Sequence, residues 1–145
     1  MRLDKNNIRE RIKDTMMDTL KMSFVENDKN TIEVIMPVGR HNCQTMDVLH
    51  GGATIALAET AAGVGSNLLC KDDEGCFGIQ ISANHISSAK IGEVVRAIGT
   101  PVHIGRSTHV WDVEVFSDSD NRLISKISVT NFVVPHRKNK AKHLF

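Results

Sequence analysis

From Gly51 to Leu69 the chain carries a single ionisable residue, Glu59, in a run otherwise built of Gly, Ala, Ile, Leu, Val and small polar residues. Folded as a helix, such a run is apolar on nearly every face and is expected to be buried on all sides. Burying a carboxylate is costly unless it is paired or put to use. Glu59 therefore needs a reason. The residues His50-Gly51-Gly52 stand at the entry to the run, where a helix leaves unpaired N–H groups that bind an anion or polarise a carbonyl oxygen. One element thus offers an electrophile-activating end and a buried acid or base.

The segments around this helix read mostly as strands. Before it, Ile8, Ile12, Met16 and Leu20 recur every four residues among charged ones, which predicts one amphipathic N-terminal helix within residues 1–22. Met22 to Val25 and Thr31 to Val38 flank a turn-forming stretch, predicting a hairpin, with Pro37 at a strand edge or end. After a polar loop over 71–75, strands are expected over Phe77–Ala89, Glu93–Ile104, Thr108–Phe116 and Arg122–Val134. In the first of these, Ile79, Ile81 and Ala83 share one face. The expected fold is α+β, a curved antiparallel meander wrapped around one long helix. Residues 135–145 read as a basic, frayed tail.

At 145 residues the chain suits a single domain over 1–145. A formal net charge of +1 gives no field to draw in nucleic acid or an anionic membrane. No stretch approaches a membrane span, and Met1 to Asn7 lacks an apolar signal core, so a cytoplasmic protein is expected. The three cysteines, Cys43, Cys70 and Cys76, are odd in number and form no C-x-x-C pair, which argues against a disulfide framework or a zinc knuckle. His41, Cys43 and His50 are close in sequence, but their spacing matches no common metal-ligand pattern. No metal is expected, and ordinary loop residues are the better reading.

The order helix, hairpin, Gln-x5-His-Gly-Gly-Ala-x5-Glu, then long strands resembles a hotdog-fold acyl-CoA thioesterase of the phenylacetate-degradation and 4-hydroxybenzoyl-CoA type. The resemblance covers roughly residues 5 to 134. It rests on the spacing of Gln44, His50 and Glu59 and on Ile81-Ser82-Ala83-Asn84-His85-Ile86, which is similar to the first long strand of that family. It implies a homodimer in which two central helices pack side by side and the sheets join, commonly pairing into a homotetramer. It also implies hydrolysis of an acyl-CoA substrate with no metal or prosthetic group, and a pocket bordered by Gly63, Asn84 and His85. Close relatives often carry Ser or Thr where this chain has Gly63, one turn after the glutamate, so a hydroxyl is missing there and the pocket is enlarged.

The residues themselves fit that chemistry. The Gly51 N–H, at the positive end of the helix, suits a developing oxyanion. Glu59 is then general base or nucleophile, and the sequence does not choose between them. Gln44 is placed to orient the water or the carboxylate, and His50 to hold the loop or bond near the thioester sulfur. His50 as a helix cap and Gln44 as a loop amide are the purely structural readings. Lys90 and the turn residues Arg106, Ser107 and Thr108 offer donors for the phosphates of coenzyme A near one edge of the sheet, in positions similar to those the family uses. The alternatives are a hotdog hydratase or dehydratase and a non-catalytic acyl-CoA-binding protein. The first usually has a Pro-Gly-rich helix entry, and the second lacks the helix carboxylate. Glu59 stands eight residues beyond Gly51, about 12 Å along one helix, so the two meet only if a second helix lies antiparallel to the first.

Overall fold

The computed structural model of the protein describes residues 5–27 and 29–136. In chain order its elements are α1 (Ile8–Arg11), α2 (Met16–Thr19), β1 (Ser23–Val25), β2 (Ile32–Pro37), α3 (Gly51–Leu69), β3 (Glu74–His85), β4 (Val94–Ile104), β5 (Thr108–Ser117) and β6 (Leu123–Pro135). Among the described residues no helix is long and apolar enough to cross a membrane. Of the expected basic tail only Pro135, which ends β6, and His136 are described; the remainder lies outside the described residues.

The core lies between α3 and one face of a six-stranded antiparallel sheet. On β5 the buried positions alternate as His109, Trp111, Val113, Val115 and Ser117, and β6 supplies Ile127, Val129 and Asn131 to the same face. Against them α3 sets Leu57, Ala58, Ala61 and Ala62, all fully buried. Small residues let the helix settle close: a Cβ on Gly65 would stand 2.6 Å from the Trp111 ring. Polar pins hold it there. Trp111 Nε1 donates to Ser66 Oγ at 2.8 Å, and Asn131 Nδ2 donates to the Ala62 carbonyl at 3.0 Å and to Ser66 Oγ at 2.8 Å. Each such bond satisfies a group that would otherwise be buried at a cost.

Three expectations need correction. The strands do not form a simple meander, since their order is β1-β2-β4-β5-β6-β3 and β3 pairs with β6 at the far edge. Residues 86–93 carry the chain back past the ends of β6 and β5 to β4, three strand spacings or about 14 Å away. The N–H groups of Ile86 and Ser87 bond the Ile124 carbonyl on the way, at 2.8 and 3.2 Å. Alternation along a strand reveals its faces and leaves its neighbours undetermined.

The single N-terminal helix expected over 1–22 is two short ones. Asp14, at φ 58, takes a left-handed conformation between them, and its N–H bonds Asp18 Oδ2 at 3.0 Å. Thr15 Oγ1 donates back to the Ile12 carbonyl, so short polar side chains compete successfully with the helical ladder.

Nor is α3 buried on every side. Gly52 and Glu59 are exposed, with Ile55, Ala56, Thr60 and Gly63 half-buried around them. One chain supplies one sheet, and a sheet covers one side of a helix. The open stripe includes the carboxylate.

Candidate active site

α3 is capped by its own histidine. His50 Nδ1 accepts from the Gly52 N–H at 2.8 Å, and the His50 carbonyl takes the N–H groups of Ala53 and Thr54 at 2.9 and 3.1 Å. An accepting Nδ1 belongs to the neutral ring with its proton on Nε2. The Gly51 N–H has no partner among the described residues. It keeps the positive end of a 19-residue helix available to an oxygen.

The loop before α3 is tied down by backbone bonds. The Gln44 N–H donates to the Val48 carbonyl at 2.8 Å, the Leu49 N–H to Ala89 at 2.8 Å and the His50 N–H to Asn42 at 2.9 Å. Gln44 Oε1 accepts from the Met46 N–H. Gln44, Gly51, Thr54, His85 and Ser87 border one cavity of about 200 Å³. His85 reaches it from the end of β3. Its Nδ1 lies 2.7 Å from Ser125 Oγ, and its Nε2 stands 2.7 Å from where a Cβ on residue 51 would sit. Any side chain at position 51 would displace that ring.

Glu59 lies two turns further along α3, about 12 Å from Gly51 along the axis. Its carboxylate leans over β3, where a Cβ on Gly78 would be 2.6 Å from Glu59 Oε1 and 3.6 Å from Asn131 Oδ1. Asn131 Oδ1 is buried and has no partner among the described residues. Gly78 therefore makes a notch that the carboxylate fills. On the other side of Glu59, Met16, Met17, Met22, Ala56 and Thr60 border a cavity of about 230 Å³. A Cβ on Gly63 would meet nothing within 4 Å, so the space one turn beyond Glu59 is open.

Within one chain the structure thus brings Gln44, Gly51 and His85 together, with His50 capping the same helix end, and leaves Glu59 apart. Asn84 is not brought to that cavity. It pairs with Lys126, whose ammonium bonds Asp112 and Glu114 at 2.7 and 2.9 Å on the face of the sheet away from α3. Lys90 bridges to Val48 beside the loop that enters α3. Arg106 and Ser107 occupy the β4–β5 turn, with Thr108 opening β5. Lys90 and Arg106 therefore flank opposite ends of the 11-residue β4 rather than one edge, roughly 30 Å apart.

Two residues that shape this region escape a sequence reading. Ser125 steadies His85 from forty positions away, a separation that leaves no local signal. Gly78 precedes a register shift in β3 between Gly78 and Gln80, which sets Ile79 out of phase with Ile81 and Ala83. A glycine interrupting a strand pattern was the available clue. His41, Cys43 and His50 do border a common depression, and Cys43 Sγ donates to the Arg40 carbonyl at 3.6 Å. Among the described residues no group of three or more His, Cys, Asp or Glu is placed to hold a metal ion.

This geometry can be set beside known proteins. The thioesterase superfamily profile matches residues 46–124. The chain is 43% identical over 114 residues to ComA2 of Bacillus subtilis (strain 168), which carries an esterase name, covering 78% of this chain and 89% of that one. It is 34% identical to the 1,4-dihydroxy-2-naphthoyl-CoA hydrolase of Escherichia coli (strain K12), covering 82% of this chain and 86% of the hydrolase. In structure it is similar to a thioesterase of Haemophilus influenzae, with a TM-score of 0.88 at 26% identity over 97% of this chain and 96% of that one. The chain belongs to the thioesterase superfamily and is a hotdog-fold thioesterase.

Proposed function

We propose that the protein hydrolyses acyl-CoA thioesters at a site completed by two copies of the chain, with no metal or prosthetic group. The observation that carries this reading is the separation of Gly51 from Glu59 along one helix. Gly51, Gln44 and His85 border one cavity at the helix start, while Glu59 stands exposed two turns away beside an edge strand. An antiparallel second α3 would carry its Glu59 to the first chain's Gly51 and close both gaps at once.

Relatives support the substrate class. The E. coli relative is named for a CoA thioester. A Streptococcus mutans structure, 27% identical with a TM-score of 0.70, is described as bound to acetyl CoA. Two structures of one Staphylococcus aureus protein, each 36% identical to this chain, carry a glutamine-to-alanine and a glutamate-to-alanine substitution whose positions are fifteen apart. Gln44 and Glu59 have the same separation.

In this reading the thioester oxygen lies against the Gly51 N–H, which strengthens its hold as the carbonyl becomes an oxyanion. Glu59 of the second chain acts as base on a water or attacks directly, and Gln44 presents its amide to the reacting group. His85, held at Nδ1 by Ser125, turns Nε2 toward the departing sulfur. Lys90, beside the cavity, meets a phosphate of the nucleotide. Arg106, Ser107 and Thr108 reach the same nucleotide only from another chain.

The test is turnover on a panel of aryl- and alkyl-CoA thioesters. Wild-type protein is expected to release free thiol, and Glu59→Gln to lose at least ~100-fold in kcat while melting normally. Near-wild-type turnover in Glu59→Gln contradicts the assignment. Hydration of an enoyl-CoA with no thiol release would support the hydratase alternative instead.

A further inference from the structure

The last turn of α3 and the first residues of β3 meet in a small buried cluster of Cys70, Cys76 and Val133, separate from the main core. The two sulfurs are 3.2 Å apart, and the residues are 3% and 7% exposed. Each is fixed by its own element. Cys70 ends α3 in extended backbone, with its N–H bonded to the Ser66 carbonyl at 3.1 Å. Asn67 grips the Cys76 backbone on both sides, its Oδ1 accepting from the Cys76 N–H at 3.0 Å and its Nδ2 donating to the Cys76 carbonyl at 3.2 Å. Neither thiol has a part in the thioesterase reading.

We propose that Cys70 and Cys76 form a redox-modification site, which closes to an intramolecular disulfide when hydrogen peroxide reaches it. Closure to a bond of about 2.05 Å asks the sulfurs to approach by roughly 1.2 Å. The intervening Lys71, Asp72 and Asp73 are exposed, so an adjustment of this size in the loop does not disturb the main core. Access is provided by a cavity of about 300 Å³ that Cys76 borders together with Arg11, Glu74 and His136. Peroxide is small enough to enter it.

Burial, with the adjacent Cys70 sulfur, pushes the Cys76 thiol up to about 12. Cys76 is the sulfur that borders the cavity, so it meets the peroxide, and its proton must be drawn off as it attacks. Its sulfur breaks the peroxide O–O bond, giving a sulfenic acid and one water that carries the thiol proton. The Cys70 sulfur then displaces hydroxide from the sulfenic sulfur of Cys76, and the Cys70 proton completes a second water. His109 Nδ1, 3.8 Å from Cys76 Sγ, is placed to carry the proton that Cys76 gives up on attack, since burial holds this imidazole below its ordinary value and thus neutral. Two thiols lose two electrons, and one peroxide becomes two waters.

The test uses the full chain as the Cys43→Ser variant, which removes the thiol outside the cluster. Treatment with hydrogen peroxide is expected to lower the intact mass by about 2 Da, reversibly with dithiothreitol, and to link the peptides holding residues 70 and 76. The melting temperature should rise by about 5 °C, as a short closed loop restrains the unfolded chain. Introducing Cys70→Ser should abolish the mass loss, and the peptide link in the parent reports the pairing even if that variant folds poorly. An unchanged mass, a gain of oxygen at either cysteine in place of the loss, or a link to any other residue overturns the proposal. None of these outcomes depends on which thioester the protein hydrolyses.

Discussion

Gly51 and Gly78 are glycines because other side chains need their Cβ positions. At 51 the competitor is the His85 ring, 2.7 Å away, and at 78 it is the Glu59 carboxylate, 2.6 Å away. Both competitors belong to the proposed chemistry, and both are side chains that can move aside. Gly51→Ala and Gly78→Ala should therefore cost turnover more than stability. The expected result is a fall in kcat of at least ~10-fold for each, with melting temperatures within about 3 °C of wild type. Steady-state kinetics on any hydrolysed acyl-CoA, run beside a thermal melt, checks this. An unchanged kcat in Gly78→Ala would mean that the position of Glu59 over β3 is irrelevant to catalysis.

Among the elements, β5 buries a titratable side chain, and this gives stability a pH dependence. His109, buried on β5, is held below its ordinary value of 6.5 first by burial and then by the charge of His103, against opposing effects from the Gly105 backbone and Glu74. Above pH 6.5 the ring is neutral in both folded and unfolded chains and contributes no slope. As pH falls below 6.5 the unfolded chain binds a proton that the folded chain refuses, so stability falls. His109→Gln should flatten that limb in denaturant titrations between about pH 5 and pH 7, the range of imidazole titration. A slope identical to wild type would assign the acid loss to other groups. The same elements mark the limit of what the sequence discloses. The apolar run that became α3 and the alternation that became β5 are local patterns, and both were legible. The break at Asp14, the shift at Gly78 and the pairing of β3 with β6 depend on competition between local bonds or on distant partners. The approach of Gln44 and Gly51 could be read from their spacing before α3, whereas the Ser125 contact to His85 could not.

At the scale of the whole molecule, two open features lie side by side. β3 is a 12-residue strand at the edge of the sheet, with Phe77 66% and Ile79 60% exposed. Long edge strands carrying apolar side chains invite another strand. Beside it runs the open stripe of α3 that holds Glu59. A second copy meeting this side would cover the edge and the stripe together, and it would supply the carboxylate that Gly51 lacks. The direct measurement of this shared site is complementation. Glu59→Ala and Gly51→Pro chains, each inactive alone, are co-assembled, with proline at the first helical position keeping the helix while removing the N–H. In a mixed dimer both defects fall in one site and the other is whole. Random mixing makes about half the dimers mixed, so roughly a quarter of wild-type activity should return. No recovery in verified heterodimers, or full activity from a monomer, would contradict the shared site.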